Sequence, residues 1–213
     1  GCRVPEGEDE KFRTLSPAYS HLYLCIAGEL AAVICIHDPL RREARDAVAA
    51  LHACGIGKVV MMTGDNRQTA QAVARAVGVD AVYAEVLPED KAAFIRSEKA
   101  AGHTVIMVGD GVNDSPALSE ADAGVAISTG AAIAREIADI TIASEDLFEL
   151  VTLRRLSQAL MARIHRNYRF IVGFNLSLIL LGVAGLLPPT TSALLHNAST
   201  LGVSLKSMTN LLG

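Results

Sequence analysis

The sequence predicts an α/β fold, a doubly wound parallel sheet followed by a pair of apolar helices, and three observations carry that reading. From about residue 21 to residue 143, short apolar runs of strand length alternate with segments of helical period, joined by brief loops. Such alternation is the pattern of parallel strands with crossover helices. The 213 residues are 51% hydrophobic and 20% charged, which excludes a disordered chain. Charge is also divided along the chain. Residues 1–150 hold all 23 Asp and Glu against 13 of the 19 Lys and Arg, whereas residues 151–213 hold six basic residues and no acid. Nucleic acid is excluded as a partner of the acidic part, because phosphate contacts need a basic face. A basic, acid-free, apolar end points to a lipid bilayer instead.

The elements follow in order. Residues 5–20 are polar and turn-rich and read as a linker. His21–Ala27 and Glu29–Ile36 read as two strands around Gly28, and Leu40–Ala53 as a helix. Lys58–Met62 is a buried strand, Arg67–Val77 a helix ended by Gly78, and Ala81–Glu85 a short strand. Pro88–Ala101 is a helix with proline at its start, where the missing amide costs nothing. Thr104–Val108, Gly124–Ile127 and Ile140–Ala143 are strands; Ser115–Ala121 and Ala131–Ala138 are the helices between them. Leu147–Asn167 is an amphipathic basic helix. Ile171–Leu187 is uncharged and ends at Pro188-Pro189, and Leu194–Leu212 is a weaker apolar run. Two spans joined by a Pro-Pro-Thr-Thr turn make a transmembrane hairpin, and the arginines before the first span place the preceding domain in the cytosol. The competing picture, two buried helices of a soluble core, is disfavoured by the absence of acids. Cys2, Cys25, Cys35 and Cys54 have neither CxxC nor finger spacing and read as small buried hydrophobes without a disulfide framework. The polar start, with no Met, reads as the interior of a longer chain and not as a leader.

Sites in doubly wound sheets lie at the carboxyl ends of strands. One string stands there: Val108-Gly109-Asp110-Gly111-Val112-Asn113-Asp114-Ser115-Pro116-Ala117-Leu118. Two carboxylates and an amide on a glycine-flexed loop suit a hard cation such as Mg²⁺, which takes oxygen ligands. Gly109 and Gly111 let the acids share one side. The plainer alternative is an acidic turn with Asp114 capping the next helix. Met62-Thr63-Gly64-Asp65-Asn66 also ends a strand and opens a helix, so a hydroxyl, exposed amides and a helix N-terminus form an anion site. An Asp or Asn N-cap is compatible with that role. Lys91, in Leu87-Pro88-Glu89-Asp90-Lys91, is an ordinary solvated lysine unless the fold carries it to the other two loops.

Taken together, TGDN, then P-x-D-K, then GDGVNDSPAL resemble the phosphorylation domain of P-type ATPases, the cation pumps of the haloacid dehalogenase superfamily. The resemblance runs from about Ile34 to the end, and His37-Asp38-Pro39-Leu40-Arg41 is similar to the D-P-x-R segment where the chain returns from the nucleotide-binding domain. It implies three regions: residues 1–36 ending a nucleotide-binding domain, 37–146 an incomplete phosphorylation domain, and 147–213 a basic linker helix with two membrane helices. It also implies Mg²⁺ and ATP as cofactors. Thr63 and Gly64 then hold the transferred phosphoryl group with Asp65 beside them, Lys91 neutralises its charge, Asp110 ligates Mg²⁺, and Asn113 and Asp114 order the site. The family's acceptor aspartate lies in D-K-T-G-T, and no such string occurs here. The expectation is therefore the carboxyl-terminal part of a multi-pass pump of the cell membrane, inactive by itself, whose actuator domain, nucleotide-binding domain and upstream helices are its missing partners.

Two helices after the phosphorylation domain resemble the heavy-metal subgroup. Asn167 and Phe174-Asn175 are similar to the N…(Y/F)N pattern of copper pumps. His196-Asn197-Ala198-Ser199-Thr200 stands where copper pumps carry M-x-x-S-S and zinc or cadmium pumps carry H-D-G-S-T, and matches neither. Asn175, His196 and Ser199 are the candidate contacts of a transported transition-metal cation, with interhelical packing as the plain alternative. A rival of another class is a membrane-tethered haloacid-dehalogenase-like phosphatase or regulatory protein. It would need its own nucleophile, for which Asp38 is the candidate. A potassium-type pump subunit is disfavoured by the short helical end.

Overall fold

The computed structural model describes residues 3–15, 19–36, 39–109, 113–127, 137–143 and 146–211. The chain forms two compact units, Gly1–Glu149 and Leu150–Gly213.

The first unit opens with a short helix, α1 (Asp9–Arg13), inside the segment expected to be a plain linker. It is followed by an antiparallel hairpin of β1 (Ser20–Ile26) and β2 (Glu29–Ile36). Ala27 and Gly28 turn the hairpin with φ of 51° and 87°, the left-handed pair that matches strand twist in a two-residue loop. The Phe12 ring of α1 lies 5.9 Å from that of Tyr23 on β1. Leu22, Leu24, Ile34 and Ile36 are exposed. Arg3 runs beside the turn, donating to Gly28 O and accepting from the Leu30 amide. The cysteines depart from expectation here: Cys25 is disulfide-bonded, Cys35 is exposed, and only Cys54 is a buried thiol. Spacing did not reveal that the chain start is laid against this hairpin.

The α/β part continues through α2 (Ala44–Ala53), β3 (Val60–Met62), α3 (Arg67–Val77), β4 (Ala81–Tyr83), α4 (Pro88–Ala100), β5 (Ile106–Gly109), α5 (Ser115–Glu120), β6 (Ala123–Ile127) and β7 (Ile140–Ile142). The helix expected at Ala131–Ala138 falls largely on residues 131–136, outside the described residues. Every strand pair after the hairpin is parallel, as expected. The described strands do not form one continuous sheet, however. β3 pairs with β4, and β5–β6–β7 form a second ladder.

Helices join these two pieces. α4 packs on α5, and α5 on β6, around buried Ala92, Ile95, Ala117, Leu118, Val125 and Ala126. Alanines on both helices let the backbones approach, while Ile95 and Leu118 each contribute about 2 kcal/mol of burial. Contact is closest at Gly124, where a Cβ would stand 2.7 Å from Leu118 O. Lys99 Nζ donates to Glu120 O at 2.8 Å, and Arg96 reaches the Glu120 carboxylate at 3.3 Å, so α4 caps the end of α5.

At the amino ends of the strands one device recurs three times. The aspartate just before a strand accepts the amide of the neighbouring strand's first turn: Asp80 from Val59 at 2.6 Å, Asp122 from Val105 at 2.8 Å, and Asp139 from Gly124 at 2.8 Å. Each bond supplies a partner for an amide beyond the ladder and fixes the register of a parallel pair.

The second unit is a helical pair. α6 (Phe148–Val183) is a single 36-residue helix that merges the basic helix and the first apolar run, which were expected as separate segments. α7 (Pro189–Ser207) begins earlier than expected, with proline in its first turn after Gly185 (φ 73°). No helix among the described residues is long and apolar enough to cross a membrane. The apolar run Ile171–Leu187 loses its helix at Val183, the rest of α6 is arginine-rich, and α7 carries His196, Asn197, Ser199 and Thr200.

The strand-start aspartates give a pH prediction. The Val105 amide, with Lys99 beside it, holds the Asp122 carboxyl below its ordinary value. A depressed carboxyl adds stability above the unfolded value, about 4, and that contribution is lost as pH falls through the folded value. Asp122→Ala should therefore lower the melting temperature at pH 7 and narrow its gap from the native chain towards pH 2. A gap that stays constant across an acid series of thermal melts would remove Asp122 from this role.

Candidate functional site

The site is built where β3 and β5 end. β3 delivers Thr63, whose amide donates to Tyr83 O at 3.0 Å, so the loop after β3 starts in register with β4. The loop then closes on itself. Thr63 Oγ1 donates to Asp65 Oδ2 at 2.8 Å and accepts from the Asp65 amide at 3.1 Å. Asn66 caps α3, accepting from the Thr69 amide at 2.9 Å. Asn66 is thus the cap, which leaves Thr63, exposed Gly64 and Asp65 as a turn at the helix's amino end.

A second segment is tied to this loop. Val86 N donates to Thr63 O, and Glu85 N to Asp65 O, both at 3.0 Å. The tie needs a left-handed backbone at Glu85 (φ 57°), costing about 1–2 kcal/mol for a residue with a Cβ. Sequence reasoning passed over Glu85. Strand propensity extended β4 to it, whereas the strand stops at Tyr83 so that the chain can fold back on the Thr63 loop. Leu87 then opens α4, its amide held by Asp90 Oδ2 at 3.2 Å. Lys91 follows on the first turn.

Lys91 is not a solvated lysine. Its Nζ lies 2.7 Å from Asp114 Oδ1, with the two side chains 15% and 13% exposed. Asp114 does not cap α5 with its side chain; the carboxylate turns to Lys91. It can do so because Gly109, the last residue of β5, leaves room. A Cβ on Gly109 would meet Asp114 Oδ2 at 2.6 Å and Asp114 Cβ at 2.9 Å. All three motifs are thereby connected: the Thr63 loop to residues 85–86, these to α4 and Lys91, and Lys91 to Asp114 at the end of β5. Asn113 is exposed. Asp110, the expected Mg²⁺ ligand, lies outside the described residues, as do Gly111 and Asp38.

The donors suit phosphoryl chemistry. An ammonium at low exposure, a threonine hydroxyl and amides at the start of α3 all offer hydrogen to anionic oxygen. Asp114 Oδ2, which makes no hydrogen bond among the described residues, and the hydroxyl of Thr63 are hard oxygen donors of the kind Mg²⁺ selects. An open cleft of about 420 Å³ lined by Arg41, Glu43, Asp146 and Phe148 shares no residue with this site.

The candidate cation contacts lie in the helical pair. Asn175 Oδ1 on α6 is 2.8 Å from His196 Nδ1 on α7. A carbonyl oxygen only accepts, so Nδ1 carries the hydrogen and, in the neutral ring, Nε2 keeps a lone pair. Ser199 Oγ donates to His196 O at 2.8 Å, and Thr200 Oγ1 to the same oxygen at 3.0 Å. The structure thus joins Asn175 to His196 directly, but turns Ser199 to the backbone of its own helix.

Residues 4–122 match the family of haloacid dehalogenase-like hydrolases. The chain is 46% identical over 176 residues to copper-transporting ATPase 2 of Rhizobium meliloti (strain 1021), a match covering 83% of this chain and 21% of the relative. It is 41% identical over 187 residues to the manganese-exporting P-type ATPase of Mycobacterium tuberculosis (strain ATCC 25618 / H37Rv), covering 87% of this chain and 26% of that protein. The chain thus spans about a fifth to a quarter of these curated relatives. Among solved structures it is similar to a zinc-transporting PIB-type ATPase in the E2.Pi state. The TM-score is 0.83 at 28% identity, covering 99% of this chain and 34% of the other.

The close approach of Gly109 to Asp114 generates a prediction. Gly109→Ala should push the Asp114 carboxylate off Lys91 and destabilise the first unit by about 1–3 kcal/mol, read as a lowered urea midpoint. When Asp114→Asn is already present, adding Gly109→Ala should cost much less, because the charge pair it would displace is gone. Independent, additive effects of the two changes would reject the coupling.

Proposed function

Because the chain belongs to the haloacid dehalogenase-like hydrolase family, with heavy-metal P-type ATPases as its relatives, we propose that it forms the carboxyl-terminal part of an ATP-driven heavy-metal cation pump. The observation that carries this reading is the linkage of the Thr63 loop, Lys91 and Asp114 at the carboxyl ends of β3 and β5. Transfer of a phosphoryl group to a carboxylate develops negative charge on oxygens that a site must already be arranged to meet. Thr63 and Gly64 hold those oxygens, and Lys91 neutralises them by exchanging its bond to Asp114 for one to the incoming group. Asp65 orients the Thr63 hydroxyl. Mg²⁺, held by Asp110 with Asn113 and Asp114 ordering the site around it, would supply charge compensation for the phosphates of ATP.

The acceptor carboxylate comes from a D-K-T-G-T segment, absent from the 213 residues. β3 and β5 support this reading, since each pairs on one side only among the described strands and so offers an edge to a further parallel strand. Residues 1–36 close a nucleotide-binding domain, residues 37–146 form the phosphorylation domain on the cytoplasmic side, and the exposed Leu22, Leu24, Ile34 and Ile36 of the hairpin pack on the remainder of the former.

The helical pair is the membrane part of this reading. Its apolar side chains face outward, with Val183 84%, Leu186 73% and Leu194 70% exposed. Its amide and imidazole groups pair between the helices, Asn175 with His196 and Asn167 with Ser207, while serine and threonine hydroxyls bond to carbonyls of their own helix. That arrangement costs free energy in water and suits lipid. The likeness to the zinc-transporting structure extends over 99% of the chain and so takes in both helices. The transported cation is a transition metal, met by His196 with Asn175 and Ser199 near it.

Two tests follow. The 213-residue chain alone, incubated with radiolabelled ATP and Mg²⁺, should form no acid-stable phosphoenzyme. Joined to a segment bearing D-K-T-G-T and its nucleotide-binding domain, it should form one, and Lys91→Ala or Asp110→Asn should reduce it at least tenfold. Phosphoaspartate in the chain alone, at Asp38 or elsewhere, would support a tethered phosphatase instead. Cysteines at Thr190 and Arg155 should react with impermeant thiol reagents from opposite sides of a vesicle; same-side labelling would reject the hairpin.

A further inference from the structure

Arg163 on α6 is set apart from its neighbours by what it touches. Its guanidinium donates to the carbonyl of Ser207, the last residue of α7, at 3.0 Å, and to two carbonyls of the chain just past the helix, Thr209 O and Asn210 O, each at 2.6 Å. The last carbonyls of a helix lack intrahelical partners and carry the negative end of its dipole. A rigid five-donor fork that stays charged at any accessible pH is suited to collect them. Among the described residues Ser207 O accepts its side-chain hydrogen bond from Arg163 alone, while Leu205 O and Lys206 O are met from within by Met208 N and Thr209 N. One turn further along α6, Asn167 Nδ2 donates to Ser207 Oγ at 2.9 Å. Arg155, Arg166 and Arg169 lie on the same helix, exposed, and make no side-chain hydrogen bond or ion pair among the described residues.

The contacts between the helices progress in opposite directions along the two chains: Asn175 with His196, Asn167 with Ser207, and Arg163 with Ser207 to Asn210. That is the register of a straight antiparallel pair. Apolar side chains alone define such a register poorly, since one helix can slide along another at small cost when the surroundings are equally apolar. A charged fork bound to three fixed carbonyls does not slide.

We infer that Arg163 is a positioning residue: it clamps the carboxyl-terminal end of α7 onto α6, sets the axial register of the pair, and thereby holds His196 opposite Asn175. Its consequence for transport rests on the reading of that histidine as a cation contact; the clamp itself does not. A lysine at 163 offers a single point charge on a flexible stem. It reaches one carbonyl at a time and restores the clamp only in part.

The test uses the full chain in lipid nanodiscs, with two readouts that need no cation. Amide hydrogen exchange over residues 203–210 should quicken at least tenfold in Arg163→Gln and by less in Arg163→Lys. It should stay unchanged in Arg166→Gln, which removes an equal charge from an unpaired position. The imidazole ¹⁵N resonances of His196 should move in Arg163→Gln towards their positions in Asn175→Ala. Deleting residues 209–213, which removes two of the three acceptors, should reproduce both effects, with exchange read over residues 203–208, if Arg163→Gln folds poorly. Exchange equal to that of the Arg166→Gln chain would overturn the clamp. Faster exchange with unmoved His196 resonances would overturn the positioning of the histidine. Failure of the longer pump protein to bind a transition metal would strike the cation reading alone, because both readouts above are taken without metal.

Discussion

The ion pair between Lys91 and Asp114 is the constraint around which the first unit is organised. It joins the β3–β4 piece to the β5–β6–β7 piece, which share no ladder among the described strands. Bringing both charges to a site of low exposure is expensive unless they remain paired, and losing one partner there costs up to about 3–5 kcal/mol. The surroundings follow from that demand. Gly109 has no side chain because Asp114 occupies its space. Asn66 takes over the capping of α3, and Asp65 occupies the Thr63 hydroxyl. The two hydrogen-bond donors of the site therefore each have an internal carboxylate partner, Lys91 in Asp114 and the Thr63 hydroxyl in Asp65.

Structure and chemistry occupy opposite ends of the same strands. At the amino ends, Asp80, Asp122 and Asp139 accept backbone amides and hold neighbouring strands in step. At the carboxyl ends, Asp65 and Asp114 meet a hydroxyl and an ammonium. The first set is bound to backbone amides, whereas the second set is bound to side-chain groups. The division separates the contacts that hold strand register from those at the candidate site.

The strands and helices of the α/β part were legible because each is short and bounded by strong punctuation, such as Gly78 in the left-handed region and Pro88 in the first turn of α4. Motif order made the site legible too, but not its geometry. Nothing in the sequence says that Asp114 faces Lys91 instead of capping α5, since aspartate before a helix is among the commonest caps. The left-handed Glu85 was hidden because no glycine or asparagine announces it; tertiary ties to Thr63 and Asp65 impose it. The Cys25 disulfide and the strand-start aspartates were hidden for a related reason. Each depends on which segments become neighbours, information that periodicity does not carry. The two-piece arrangement of the described ladders was likewise out of reach, because alternation predicts parallel pairing but not which strands pair.

In the helical pair the usual logic of folding is inverted, and that inversion explains why its end is clamped by charge. With Leu176, Ile179, Leu180 and Leu201 exposed, apolar burial between the helices is small, and polar contacts are left to specify the pairing. Asn175 with His196 is one such contact, a single hydrogen bond. Arg163 is of a different strength, a fixed charge shared among three carbonyls that would otherwise lack partners. It lies twelve residues before Asn175 on the same helix, and Asn175 is the group that meets His196. If His196 meets a cation as proposed, a charged clamp beside it would repel that ion. Separating the group that fixes register from the group that offers a lone pair lets one pair of helices do both.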